Sequence, residues 1–312
     1  MASRWRSMQL PSMKLVAMNS SLFRIGNQTC AHVPADLPLE FAVKHGFTAF
    51  EWFSDRGHAG WCEADSDALT RLRLRQTAID HDIAFSVHAP FAADPVTRTG
   101  AVAIRQSIDF AADVGARFVI LHLSCGSSVD EFVEALVAIL DAARKAGVVL
   151  TLENTPMTSP DHLNAVFNVL STMPEAIGRV GMCLDTGHAN LHVETQNDYI
   201  RFIDRLGDHV PIVHWHVHEN WGDRDSHLTL FTGPAGRDST GLRALIERLL
   251  RRGFCGSIIL EQWPTPPESL VPAAEGLQRL LAAVPASALR SSVLQFWQIS
   301  GTSQSREFMR NR

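Results

Sequence analysis

The chain has 312 residues, 46% of them hydrophobic and 20% charged, enough to bury the core of one large domain or two ordinary ones. Its 33 acidic against 28 basic residues leave a net charge of −5, so there is no basic footprint for a polyanion and nucleic acid is not the expected partner. Five scattered cysteines (Cys30, Cys62, Cys125, Cys183, Cys255) without C-x-x-C spacing argue against a disulfide scaffold and a zinc ribbon, and favour a reducing, cytoplasmic setting.

Residues 1–13 read as an N-terminal extension, with Arg4 and Arg6 but no apolar core of a signal peptide; no stretch approaches the roughly eighteen apolar residues of a membrane span. From residue 14 a unit recurs: a short β-branched run, a polar loop, then an amphipathic helix. The runs predict strands over 14–19, 47–52, 83–88, 117–123, 148–153, 179–185, 211–218 and 256–263. Between them, helices are predicted over 66–81 with Leu69, Leu72 and Ile79 as apolar positions, over 129–146 with Phe132, Leu136 and Ile139, and over 240–252 with Leu242, Leu245 and Leu249. Gly46, Gly115, Gly147 and Gly253 stand where such helices end and supply the left-handed cap. Residues 286–312 read as a C-terminal tail, Ser/Gln-rich and basic towards its end, with one apolar cluster at Leu294, Phe296 and Trp297.

Eight strand–helix units in a row predict a single closed (β/α)8 TIM barrel over residues 14–285, the usual length for that fold. An open doubly wound sheet is the structural alternative, but the G-x-G-x-x-G expected after its first strand is missing. Six successive predicted strands finish on His88, His122, Glu153, Asp185, His216 and Glu261, all able to bind a metal or move a proton. In a barrel those ends share one face, so the residues are expected around one cavity. Carboxylate and imidazole with little thiolate suit Zn2+, Mn2+, Co2+ or Mg2+. Trp52, Trp215, Trp221 and Trp263 lie near the same ends, where an indole can stack on a sugar ring or pack between barrel and helices. Glu51 on the second strand is either a further pocket carboxylate or the partner of an arginine.

Seven segments carry a resemblance: SVHAPF at 86–91, ARFVILHLSCG at 116–126, LTLEN at 150–154, GMCLDTGHAN at 181–190, VHWHVHEN at 213–220, GDRDSHL at 222–228 and IILEQW at 258–263. The chain resembles the xylose isomerase-like TIM barrels, which include sugar isomerases, ketose epimerases, inosose dehydratases and the endonuclease IV group. The isomerase and epimerase members imply one divalent ion held by Glu153, Asp185, His216 and Glu261, with Glu153 and Glu261 also acting as the opposed acid and base that move a proton α to a carbonyl through an enediolate. His88, His122, His188, Arg224, Asp225, His227 and Trp263 are then expected at the substrate, a small carbohydrate, sugar phosphate or polyol. Two positions depart from the ketose epimerase pattern: Ser159 stands where a second Glu is common, and Gly222 where an Arg is expected, with Arg224 as its substitute. The endonuclease IV members imply a rival, a trinuclear zinc phosphodiesterase, for which His88, His122, Glu153, Asp185, His188, His216, Asp225, His227 and Glu261 supply nine ligands. An inosose dehydratase-type lyase is the third reading, and a homo-oligomer stays open.

Overall fold

A computed structural model describes residues 23–284. Eight parallel strands, β1 (Phe23–Gln28), β2 (Ala49–Phe53), β3 (Ala84–His88), β4 (Phe118–His122), β5 (Val149–Glu153), β6 (Val180–Asp185), β7 (Ile212–Val217) and β8 (Gly256–Leu260), pair in chain order, and β8 closes on β1. The predicted barrel is therefore present.

Its first strand is not the expected one. The segment 14–19 lies outside the described residues, and the barrel is complete with Phe23–Gln28 in the first position. Phe23–Gln28, FRIGNQ, lacks a β-branched run, with Gly and Asn inside it. Gly26 is there for space: a Cβ on it would lie 1.8 Å from the carbonyl oxygen of Ala49 on the neighbouring strand. Asn27 is buried and donates to the carbonyl of Pro38 at 3.0 Å.

The surrounding helices are α1 (Leu37–His45), α2 (Ala68–Asp80), α3 (Arg98–Val114), α4 (Val129–Ala146), α5 (Pro160–Ser171), α6 (Thr186–Leu191), α7 (Arg201–Arg205), α8 (Pro234–Arg237), α9 (Thr240–Arg251) and α10 (Leu270–Ala283). Helix α4 begins with a full capping box between Ser128 and Glu131 and ends on left-handed Gly147, so its predicted bounds hold. Helix α2 also forms, with Asp67 accepting from the Thr70 amide at 2.7 Å, but Leu69, Leu72 and Ile79 face solvent. Its inner face is set instead by Leu74 and Ala78 and by Arg71, whose guanidinium lies over the Phe110 ring.

The strand register decides what faces inward. Paired residues in a parallel sheet share a face, and alternate residues do so along a strand. Glu51 pairs with Ser86, Phe53 with His88, His122 with Glu153, Glu153 with Cys183, and Asp185 with His216. One inward set thus contains Glu51, Ser86, His88, His122, Glu153, Cys183, Asp185, His214 and His216. Lower in the same interior, Phe118, Ile120, Val149, Cys183 and Val213 form a small apolar cluster separate from the main core between sheet and helices. The barrel is filled by side chains, apolar at one end and ionisable at the other.

Candidate metal centre

Each ionisable side chain is aimed by its strand or by the turn that follows. Asp185 closes β6 and N-caps α6, accepting from the His188 amide at 2.7 Å, which places His188 one turn away over the same cavity. Asn154 clamps this junction: its amide donates to the Asp185 carbonyl at 2.8 Å, and its side-chain oxygen accepts from the Asp185 amide at 2.9 Å. After β7 the chain makes a short antiparallel bridge between Glu219 and Leu228, which folds Asp225 and His227 back towards the rim. Buried Glu219 holds the far side of that loop by accepting from the amides of Phe231, Gly233 and Ala235 and from the Tyr199 hydroxyl.

The predicted ligands meet. His216 Nδ1 is 3.3 Å from Glu153 Oε1 and 3.1 Å from Glu261 Oε1, while His88 Nε2 is 2.9 Å from Glu153 Oε2. Asp185 joins through shared neighbours. With Glu153 and His188 it makes one close group, and with His218 and Glu261 another. His122 Nε2 stands 3.6 Å from Glu153 Oε2. At the outer edge His188 Nε2 and His227 Nε2 are each 3.2 Å from Asp225 Oδ2. Arg224 is exposed on the same loop, and Trp263 is partly buried, edge-on to Phe41 at 5.4 Å, where packing accounts for it. Trp52 and Trp215 are core residues, and Trp221 is exposed beneath the Arg237 guanidinium.

His218 has no role in the sequence pattern alone, and Glu51 has two, a pocket carboxylate or the partner of an arginine. His218 lies 3.3 Å from Asp185 Oδ1 and stacks on His227 at 3.9 Å. Gly187 makes room for it, since a Cβ there would sit 1.9 Å from the His218 ring. The signal was the period of two in HWHVH, which puts His214, His216 and His218 on the inward face opposite Trp215 and Val217. Glu51 is likewise buried, and its partners are histidines rather than an arginine: His214 Nε2 and His216 Nε2 each lie 3.0 Å away.

The protonation states follow from crowding. Burial alone would raise Glu153, but His216 and His122 outweigh it and hold the carboxyl well below its usual range. Glu261 is pushed up to about 8 by burial and by the charges of Glu153 and Asp185. Burial works against the charged forms of His188, His216 and His227, yet the surrounding carboxylates raise all three, His227 to about 9. His122, where burial dominates, is lowered to about 4.

The arrangement fits a divalent cation. Among the described residues, Glu153 Oε1, Asp185 Oδ2, His216 Nδ1 and His218 Nε2 are buried without a hydrogen-bond partner, although ionisable atoms of the opposite type stand close by. Donors each about 2.1 Å from one ion stand about 3.0 Å apart at right angles and about 3.4 Å apart at the tetrahedral angle. The observed separations of 3.1 to 3.3 Å among His216, Glu153 and Glu261, and between His218 and Asp185, fall at such polyhedron edges. The donors are carboxylate oxygen and imidazole nitrogen, the set that suits transition-metal dications and, in its oxygens, Mg2+. The outer partners agree. His88, His122, His188 and His227 each direct Nδ1 at a backbone carbonyl, of Ala89, Phe91, Asn154 and Glu261 respectively, so in the neutral form each presents the Nε2 lone pair inwards. His227 does so from a left-handed backbone (φ 42°), an uncommon conformation for a non-glycine residue.

The comparisons with known proteins are consistent with this geometry. The model of the xylose isomerase-like TIM barrel family matches residues 39–283. An uncharacterized protein of Methanocaldococcus jannaschii, MJ1311, is 24% identical over 266 residues, covering 76% of this chain and 83% of that protein. Among solved structures, a D-tagatose 3-epimerase-like protein is 21% identical with a TM-score of 0.64, covering 83% of this chain and 97% of the other. Endonuclease IV from Thermus thermophilus is 19% identical with a TM-score of 0.57, covering 84% of this chain and all of the other (100%). At these identities the structural likeness is one of fold. The chain belongs to the xylose isomerase-like TIM barrel family.

Proposed function

We propose that this xylose isomerase-like barrel is a divalent-metal-dependent isomerase or epimerase of a small carbohydrate, sugar phosphate or polyol. The observation that carries the reading is the split carboxylate pair. Glu153 and Glu261 both approach His216 Nδ1, at 3.3 and 3.1 Å, one held ionised and the other pushed up to about 8. Two carboxyls whose environments drive their protonation apart are what a proton transfer at one carbon needs: one takes a proton, the other gives one.

Glu153, Asp185, His216 and Glu261, with His88 and His218 close by, would hold the ion. When bound, the ion supplies Lewis-acid polarisation of the substrate carbonyl. The chain's own residues do the rest. Ionised Glu153 removes the proton α to the carbonyl, and Glu261 returns one at the opposite face or at the neighbouring carbon. His122 and His188 lie beside Glu153, where their ring nitrogens can hold substrate oxygens. The burial of these groups keeps water from reprotonating the enediolate. Turnover of a candidate sugar in D2O should place deuterium in the product at the carbon that Glu261 reprotonates, and Glu261→Gln should lose that deuterated product. Turnover of the substrate without exchange would sink the two-carboxylate mechanism.

A second reading has its own support. The four histidines whose Nε2 points inward complete, with Glu153, Asp185, His216, Asp225 and Glu261, a nine-residue set suited to three zinc ions and phosphodiester hydrolysis. Three zinc ions per chain and metal-dependent nicking of abasic duplex would establish it. The proposed carbohydrate enzyme should show no such nicking, and no DNA affinity that collapses by orders of magnitude between about 50 and 200 mM salt.

A further inference from the structure

Directly beneath the rim lies a charged group that the proposed reaction does not use. Glu51 is fully buried in the middle of β2. Its Oε2 accepts from the Ser86 hydroxyl at 2.8 Å and from His214 Nε2 at 3.0 Å, and its Oε1 stands 3.0 Å from His216 Nε2. An isolated buried carboxylate is costly, and one whose polar side-chain neighbours among the described residues are a hydroxyl and two imidazoles gains its stability from those groups. His216 thereby stands between two tiers of carboxylates. Its Nε2 faces Glu51 below, and its Nδ1 faces Glu153 and Glu261 above.

We propose that Glu51 is the positioning residue of the metal centre, fixing His216 as the tautomer whose Nδ1 lone pair is directed at the ion while Nε2 keeps its proton towards the carboxylate. The inference rests on the reading of the rim as a metal centre and adds the element that aims its histidine. His216 differs in this from His88, His122, His188 and His227, which are oriented by neutral backbone carbonyls and present Nε2. A carboxylate behind the ring also makes it a stronger donor than a carbonyl does. Ser86 and His214 in turn hold Glu51, so the tier reaches across β2, β3 and β7 before it meets the ion.

The test uses the full chain. Binding of Co2+ is titrated in wild type and Glu51→Gln, with the visible Co2+ spectrum recorded alongside, and both proteins are checked for folding by circular dichroism. The expected result is a folded variant that binds Co2+ about 10- to 100-fold more weakly with an altered spectrum, a change that loss of packing alone would not give. Equal affinity and an identical spectrum in the variant would overturn the proposal while leaving the metal centre standing. A wild type that binds no Co2+ would instead remove the reading beneath it. Should Glu51→Gln fail to fold, the tautomer is read in Zn2+-loaded wild type from the imidazole nitrogen shifts: a protonated Nε2 on His216 supports the proposal, and a Zn2+-bound Nε2 overturns it.

Discussion

The two ends of the barrel interior are built from the same strands and do opposite work. Towards the strand starts, Phe118, Ile120, Val149 and Val213 fill the space with apolar volume. Towards the strand ends, the same inward face carries Glu153, Asp185, His216 and Glu261, buried as deeply but surrounded by charge. In β4 and β5 the change takes only four residues, from Phe118 to His122 and from Val149 to Glu153. Burial of apolar surface stabilises one end, whereas at the other burial of ionisable groups costs stability unless something of opposite charge is shared among them. The contrast predicts that substitutions at the lower end act on folding and substitutions at the upper end act on metal loading.

The largest expected effect tests the upper end. Glu153→Gln should weaken divalent-metal binding by more than about 100-fold, the upper end of what losing an outer partner costs, in a protein that still folds. Calorimetric titration checks this, and near-wild-type affinity would break the contrast. At the lower end, Ile120→Ala should cost about 2 to 5 kcal/mol in denaturant unfolding while changing metal affinity by less than about tenfold.

The pH dependence sharpens the difference. In the metal-free protein Glu261 binds a proton up to about pH 8 and His227 up to about pH 9, well above their ordinary unfolded values. A raised folded pKa means that the native state holds protons the unfolded chain has released. The stability these groups contribute is therefore fully present below the unfolded values, about 4.3 for Glu and about 6.5 for His. It is lost as pH rises through about 8 to 9. Metal competes for the same sites, so its affinity should rise over that range. The melting temperature of metal-free protein should thus fall between pH 6.5 and 9, and added Mn2+ or Zn2+ should flatten the curve. A flat metal-free profile would show that these groups do not carry the protons assigned to them.

The smallest effect belongs outside the barrel. Leu72→Ser on α2, where the side chain is 61% exposed, should shift stability by no more than about 0.5 kcal/mol. A larger loss on dilution of the protein would mean that Leu69, Leu72 and Ile79 are covered by a second copy.

Much of this was legible in the sequence because the barrel repeats one local rule. A β-branched run ending on His, Asp or Glu needs no tertiary information to be placed at a strand end; Glu153 and Asp185 are the last residues of β5 and β6, and Glu261 directly follows β8. The first strand was illegible because its polar and glycine positions are correct only inside a closed barrel, where Gly26 lies against Ala49. His218 and Glu51 were hidden differently. Their inward direction follows from the two-residue period, but their partners depend on the closed barrel: it brings His214 of β7 across to Glu51, 163 positions away, and sets His218 beside Asp185 at the end of β6. The outward Leu69, Leu72 and Ile79 show the limit of periodicity on a helix, since Arg71, Leu74 and Ala78 define a competing face that the barrel uses.

The central claim is that the inward carboxylate and histidine side chains form a metal centre, and metal content tests it most directly. Protein purified without chelator and analysed for bound metal, then stripped and titrated with Mn2+, Co2+ and Zn2+, should hold at least one divalent ion per chain, with the binding lost in Glu153→Gln. Three ions per chain would keep the centre and shift its chemistry to phosphodiester hydrolysis. A folded wild-type protein that takes up no divalent ion at millimolar concentration would contradict the account.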